Sequence, residues 1–423
     1  MPILTIVLAL CGALGAAYGV YFLSASFGGM LLEKKPAPRG FDETCRVAVV
    51  IAARNEARVI GKLVTSLMWQ RYPRALYDVY VAPNNCTDDT EAVALNAGAR
   101  ILRCRGPVHS KGDVLRQAFS QLSAEGNHDV YCVFDADNLV DPMFLHHVNN
   151  AWRAGCQVAQ GFRDSKNPFD SWVSGGMATF YWFMSCLFNE SRARLGLSCH
   201  LSGTGFMVSD AVIRDMGWQT STLTEDLEFT GLCALRGYKI GWMPEARVYD
   251  EQPVGFWDSV IQRRRWTAGS LQCTRRFGLR LLKKGTASSL DIGCLFLGNL
   301  LNYAGLLSGL AGTAQLAIAV MADPGSLPRA ALSAALFLAG YWAAFSAAAA
   351  FLYRAEGKLN RRSAAGILGF PLFVATWTPI NIAACLTRPP KWKFIAHTRD
   401  LADPDEGGLR RPVRAKGGHM TWN

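Results

Sequence analysis

The chain has 423 residues, half of them hydrophobic, and carries 44 Lys and Arg against 33 Asp and Glu, a formal net charge of +11. That length admits more than one domain, or a domain with membrane segments. Because uncharged apolar stretches gather at the two ends, the basic excess points to a cytoplasmic membrane face or an anionic substrate, and no zinc-finger, RNA-binding or aromatic–basic pattern supports nucleic acid as a partner.

Residues 3–31 carry no charge, enough to cross a hydrocarbon core that needs about 20 helical residues. A cleaved signal peptide is the rival reading, but there is no basic n-region and the apolar run exceeds a typical h-region. The "EKKPAPRG" that follows stays in the cytoplasm by the positive-inside tendency, which puts the N-terminus outside and the next domain inside.

From 46 to about 250, strands alternate with helical stretches. "RVAVVIAARNE" predicts a strand and polar loop, "VIGKLVTSLMWQ" a helix, "YDVYVAPNNCTDDT" a second strand and loop, "EAVALNAGA" a helix and "RILRC" a third strand. Such units call for a parallel sheet with right-handed crossovers. No GxGxxG follows the first strand and no P-loop is present, which argues against a dinucleotide cofactor.

The run 130–134 is short, β-branched and aromatic, a strand buried on both faces. It delivers Asp135 and Asp137 at its carboxyl end, where open α/β sheets bind ligands. One hard cation can reach both carboxylates, since Mg²⁺ and Mn²⁺ sit between one or two carboxylates and substrate phosphates. A turn with helix capping, started by Asp141 and Pro142, is the alternative. His146 and His147 are adjacent in a predicted helix, point in different directions and do not read as a metal site. Twelve cysteines without a CxxC pair suit a reducing compartment, not a disulfide frame.

"LTEDLEF" at 223–229 reads by itself as a helix start capped by Thr224 with acids in the first turn. "IQRRRW" at 261–266 reads as a basic membrane-surface helix. Uncharged stretches then span 292–322 and 330–353; the first link carries one base and the second four, which predicts a hairpin whose second turn is cytoplasmic. The stretch 363–387 contains Pro371 and Pro379 and either spans or re-enters, re-entry being favoured because it keeps the basic tail inside.

Seven motifs in order, "AARNE", "NNCTDD", "SKGDVLR", "DAD", "SGTGF", "TED" and "QRRRW", resemble the membrane-embedded processive glycosyltransferases of family two, the group of the cellulose, hyaluronan, chitin and poly-N-acetylglucosamine synthases. The resemblance covers about 46–270 and implies an α/β, GT-A (Rossmann-like) cytoplasmic domain between transmembrane helices. The implied division is an N-terminal transmembrane helix at 1–31, the GT-A domain at 40–255, interfacial helices with QxxRW at 256–289 and a transmembrane hairpin at 290–353. A re-entrant, interfacial or transmembrane segment at 363–387 and a basic tail at 388–423 complete it. The implied reaction is inverting transfer from a UDP-sugar with Mg²⁺ or Mn²⁺ to a growing β-linked polysaccharide, in an enzyme held among membrane lipids in the inner membrane. Asp137 matches the direct metal ligand, with Asp135 touching donor or metal. Asp226, with Glu225, matches the general base of TED. Gln262 and Trp266 match acceptor residues, and Arg265 one that faces the diphosphate.

The same resemblance places Ala53 and Glu56 beside the uracil and Lys111 near the nucleotide, and it assigns Gly203 and Thr204 to the sugars. Asn84 stands where the family usually has aspartate, which puts base preference in question. "KWKFIAHTRD" weakly resembles a loop that closes over bound nucleotide, with Trp392, Lys393 and Arg399 as contacts; an interfacial anchor is the alternative. Single-sugar transfer to a lipid and an inactive glycan-binding assembly subunit are the competing functions, and export partners are left open.

Overall fold

In the computed structural model, residues 2–34 and 37–387 are described, together with two short strands, Pro412–Arg414 and Met420–Trp422. The segment of Trp392, Lys393 and Arg399, with its expected loop or anchor role, lies outside the described residues.

Alternating β-branched and small residues make β1 (Val47–Ala53) a strand buried on both faces: Val47, Val49 and Ile51 enter one core, Ala48 and Val50 the other, as a period of two requires. Around it lie β2 (Tyr77–Pro83), β3 (Arg100–Ile101), β4 (Val130–Asp135), β5 (Leu139–Val140), β6 (Val158–Ser165), β7 (Phe206–Ser209) and β8 (Ile240–Asp250) in the order β3-β2-β1-β4-β7-β6-β8-β5. Only two residues of the expected third strand, Arg100 and Ile101, pair.

The sheet is mixed, not parallel. Strand β7 runs antiparallel to β4 and β6, and β5 antiparallel to β8. The reason is where the chain enters: the glycine-rich loop before β7 approaches Asp135 at the carboxyl end of β4, so β7 must run back from that end.

Helices cover both faces and leave the sheet at its edges: α1 (Pro2–Leu31), α2 (Ile60–Met68), α3 (Thr90–Asn96), α4 (Lys111–Glu125), α5 (Phe144–Arg153), α6 (Trp172–Trp182), α7 (Glu190–Arg194), α8 (Asp210–Met216) and α9 (Glu225–Arg236). One continuous helix, α10 (Phe256–Lys284), leads into α11 (Ala287–Ala322), α12 (Leu327–Ala355), α13 (Ala364–Ala375) and α14 (Trp377–Leu386). Among the described residues four segments are long and apolar enough to cross a membrane: 5–31, 303–322, 324–355 and 361–386.

Buried ions tie these helices to the sheet. Asp164 of β6 accepts from Lys358 (2.6 Å) and pairs with Arg247 (3.3 Å), which also reaches Glu356 (2.7 Å). The turn between α12 and α13 therefore shares a compartment with the catalytic sheet. Near α1, Arg192 pairs with Asp291 of α11 at 3.3 Å and donates to Ser26 at 3.1 Å, all three buried.

Candidate active site

The carboxyl ends of β1, β2 and β4 meet at one edge, and their loops are fixed by backbone that few residues tolerate. Asn55 and Asn85 sit at φ 59° and 48°, the left-handed region that asparagine enters more readily than other side chains. Asn55 Oδ1 accepts the Thr87 N–H at 2.7 Å, which joins the first two loops. Asn84 donates both its backbone N–H and its side-chain amide to the Ala53 carbonyl, each at 2.9 Å. The donor that asparagine adds is thus committed to β1, and its other polar atom is an acceptor oxygen, as an aspartate would supply. Glu56 is half-buried in the same loop, its N–H bonded to Thr90 at 2.8 Å.

Lys111 is the hub. Ser110 caps α4 through the Asp113 N–H, which aims the first residue of the helix at the sheet edge. There the Lys111 ammonium forms an ion pair with Asp135, donates to the Gly203 carbonyl at 2.7 Å and lies 3.7 Å from Glu225 Oε1. Three segments far apart in sequence are joined by one cation. Burial pushes the Asp135 carboxyl up, but the charges of Lys111, Arg163 and Arg265 more than offset this, and the group is held below the usual carboxylate range. The charge of Arg265 on α10 therefore reaches the Asp135 carboxylate.

Gly203 has φ 85°, and a Cβ there would lie 3.3 Å from Asp226 Oδ2, so glycine permits both the turn and the approach to the carboxylate. Thr204 lies in the same loop. Its hydroxyl is fully buried, accepts the Asp135 N–H at 3.1 Å and donates to Asn138, so the side chain holds the DAD turn. Thr224 occupies the N-cap position of α9 but its side chain caps nothing, lying 3.7 Å from Cys273. Glu228 accepts the Ser221 and Thr222 N–H groups instead, at 2.7 Å each.

Asp226 sits close to Gly203 and within the fields of Glu225, Lys111 and Arg163. Burial and the Glu225 carboxylate push its pKa up to about 7, against the Leu227 N–H, Lys111 and Arg163, which lower it. A base must be unprotonated to work, so a pKa above the usual value moves the loss of activity to higher pH. The expected result is a kcat/KM that falls on the acid side with a limb near pH 7, about tenfold per pH unit below it. A limb near 4 would separate this carboxyl from the rate.

Five further residues, Arg163, Asp250, Asn138, Gln252 and Lys166, escaped the motif analysis. Arg163 donates to Asp250 (3.0 Å from Nε) and to the Ser202 carbonyl (2.5 Å), and stacks 3.9 Å over Tyr181. Asp250 also accepts from Asn138 (2.9 Å) and Gln252 (3.0 Å), and Lys166 donates to the Asp137 carbonyl. This network clamps the DAD turn, the glycine loop and the end of β8 together. The one sequence signal was a charged pair, Arg163-Asp164, in a strand buried at every position. Asp250→Ala would leave Arg163 as a buried unpaired charge, a loss of about 3–5 kcal/mol; thermal unfolding in detergent should fall clearly, and an unmoved midpoint would contradict the clamp.

Helix α10 closes the site. Gly269 lies so near Thr224 that a Cβ would meet its hydroxyl at 2.6 Å, which brings the QRRRW turn over the TED loop. Trp266 is half-buried among Phe180 (6.2 Å, stacked), Tyr181 (5.9 Å, edge-on) and Trp377 (6.3 Å, stacked). Gln262 is half-buried on the same helix. Arg263, expected as one of several surface bases, is instead fully buried, because it faces α13 and α14. Arg264 donates to Thr387 at 2.7 Å. His146 and His147 bind Glu43 (2.8 Å) and Glu245 (3.7 Å) separately.

Among the described residues no group of three or more His, Cys, Asp or Glu gathers to hold a metal. Asp135 and Asp137 nevertheless fit one. Asp135 is kept ionised with an ammonium already against it, and two carboxylates are a hard, incomplete donor set of the kind that Mg²⁺ or Mn²⁺ completes with phosphate oxygens and water.

A sequence profile described as glycosyltransferase like family 2 matches residues 45–269. A β-monoglucosyldiacylglycerol synthase of Nostoc sp. is 28% identical over 240 residues, covering 53% of this chain and 49% of that protein. A poly-β-1,6-N-acetyl-D-glucosamine synthase of Staphylococcus aureus is 22% identical over 267 residues, 59% and 63% of the two chains. The chain thus spans about half to under two thirds of these relatives. A mannosyltransferase from Pyrobaculum calidifontis, solved with GDP-Man and Mn²⁺, has the same fold at TM-score 0.59, with 18% identity over 89% of this chain and 98% of that one.

Proposed function

The chain belongs to glycosyltransferase family 2, and from that premise we propose that it extends a β-linked polysaccharide from a UDP-sugar, with inversion, and passes the product through its own membrane helices. The catalytic domain faces the cytoplasm in this reading. The observation that carries it is the meeting of Lys111 with Asp135, Gly203 and Glu225 beside the Asp226 carboxylate, under a helix that presents Trp266.

Each residue then has one task. Ala53, Glu56 and Asn84 border the base. Lys111 and Arg265 hold the diphosphate, whose charge grows as the glycosidic bond breaks. Asp135 and Asp137 hold Mg²⁺ or Mn²⁺, which when bound neutralises the leaving diphosphate as a Lewis acid. Asp226 takes the proton from the acceptor hydroxyl as that oxygen attacks the anomeric carbon. Gln262 and Trp266 hold the acceptor sugar, the indole face against its apolar C–H groups. Inversion needs no enzyme nucleophile.

A second reading, transfer of one sugar to a lipid, is favoured by the Nostoc relative's name and identity. One assay separates the two. Membranes carrying the full chain are given radiolabelled UDP-sugars in turn with Mg²⁺ or Mn²⁺, and product is partitioned between organic solvent and a sizing column. Label in long aqueous chains supports extension; label confined to the solvent phase supports the lipid acceptor and overturns it.

A further inference from the structure

Arg263 is fully buried, and among the described residues no carboxylate lies within ion-pair distance of it. Burial lowers its pKa only to about 10, so it stays charged at neutral pH. A buried charge without a partner costs several kcal/mol, and an apolar residue of like size would fill the space without that cost. The compensation comes from elsewhere in the fold. Nη1 donates to the Phe373 carbonyl (3.2 Å) and to Thr376 Oγ1 (2.8 Å), and the guanidinium lies 4.3 Å over the Phe373 ring and 5.3 Å from that of Trp377.

Those partners sit where α13 ends and α14 begins. Pro379 has no N–H for the carbonyl four residues earlier, so the helix breaks at this point. The exposed carbonyls carry the negative end of the α13 dipole, and two aromatic faces add cation–π attraction. Trp377, the first residue beyond the break, stacks on Trp266 at 6.3 Å and lies 5.6 Å from Phe180. On the far side of the cluster another buried arginine, Arg163, covers Tyr181.

We propose that Arg263 is a positioning residue for the acceptor: it caps the α13–α14 break and thereby fixes Trp377 against Trp266, so that the acceptor platform is a ring cluster drawn from α6, α10 and α14. The inference rests on the reading above that Trp266 meets the acceptor sugar.

The test uses the full chain in detergent, with UDP release measured both without acceptor and against increasing concentrations of the short oligosaccharide that the unsubstituted protein makes. Arg263→Met should raise acceptor KM about tenfold, a coupling of ordinary size for groups in contact, with acceptor-independent UDP release and the unfolding midpoint unmoved. Trp377→Ala should raise acceptor KM by a similar factor, the double variant should raise it no more than the worse single, and Arg263→Lys should recover part of the loss. Should Arg263→Met fail to fold, Thr376→Val and Trp377→Ala carry the same expectation. An unmoved acceptor KM, or a double variant whose losses multiply, overturns the inference alone. If the unsubstituted protein shows no dependence on a carbohydrate acceptor, the functional reading falls and takes this inference with it.

Discussion

An Asp226→Asn chain should transfer sugar about 10²–10⁴-fold more slowly than the unsubstituted chain while binding UDP equally well. The amide keeps the shape of the side chain, and an Oδ for the Leu227 N–H, but has no lone pair basic enough to take the acceptor proton. Calorimetry with UDP and Mn²⁺ gives the binding arm, and single-turnover transfer gives the rate. The residual rate of the variant should also lose the acid limb near pH 7. Normal turnover, or an equal loss of UDP affinity, would remove Asp226 from the role of base.

The second large effect is expected at Lys111. Lys111→Met leaves the Asp135 and Glu225 carboxylates facing one another without their shared cation and removes a donor from the diphosphate, so kcat/KM for the donor should fall about 10²–10³-fold. Lys111→Arg should recover little, because a planar fork does not reproduce three contacts made by one ammonium. The loss has a second signature. Lys111 lowers the Asp226 pKa, so without it the acid limb should move to higher pH. A donor kcat/KM within about twofold of normal, with the limb unmoved, would show that the ammonium only packs.

Both expectations depend on residues that the sequence singles out, and the reason is local. Strand periodicity places Asp135 at the end of a buried run, and the same logic places Ala53 and Asn84 at the ends of β1 and β2; side-chain alternation and turn chemistry act over a few residues and are written in order along the chain. Family membership, the glycosyltransferase reaction class and the apolar helices at the two ends are legible on the same terms.

What the order of residues does not carry is which distant groups meet. Arg163 and Asp250 are 87 positions apart, and neither belongs to a motif, yet they hold the catalytic turns together. The Thr204 hydroxyl in "SGTGF" supports the DAD turn, a contact made because β7 runs back from the carboxyl end of β4. In "QRRRW" three arginines are indistinguishable by type: the charge of Arg265 reaches Asp135, Arg264 binds Thr387, and Arg263 is buried against the α13–α14 break. Helical rotation of about 100° per residue separates their faces, but only the packing of α13 and α14 against α10 decides which face is dry. Sequence alone determined the chemistry at the strand ends, where hydrophobic period and loop composition are local; tertiary structure decided the supports of that chemistry, because a buried charge is tolerated only where the whole fold brings its partners to it.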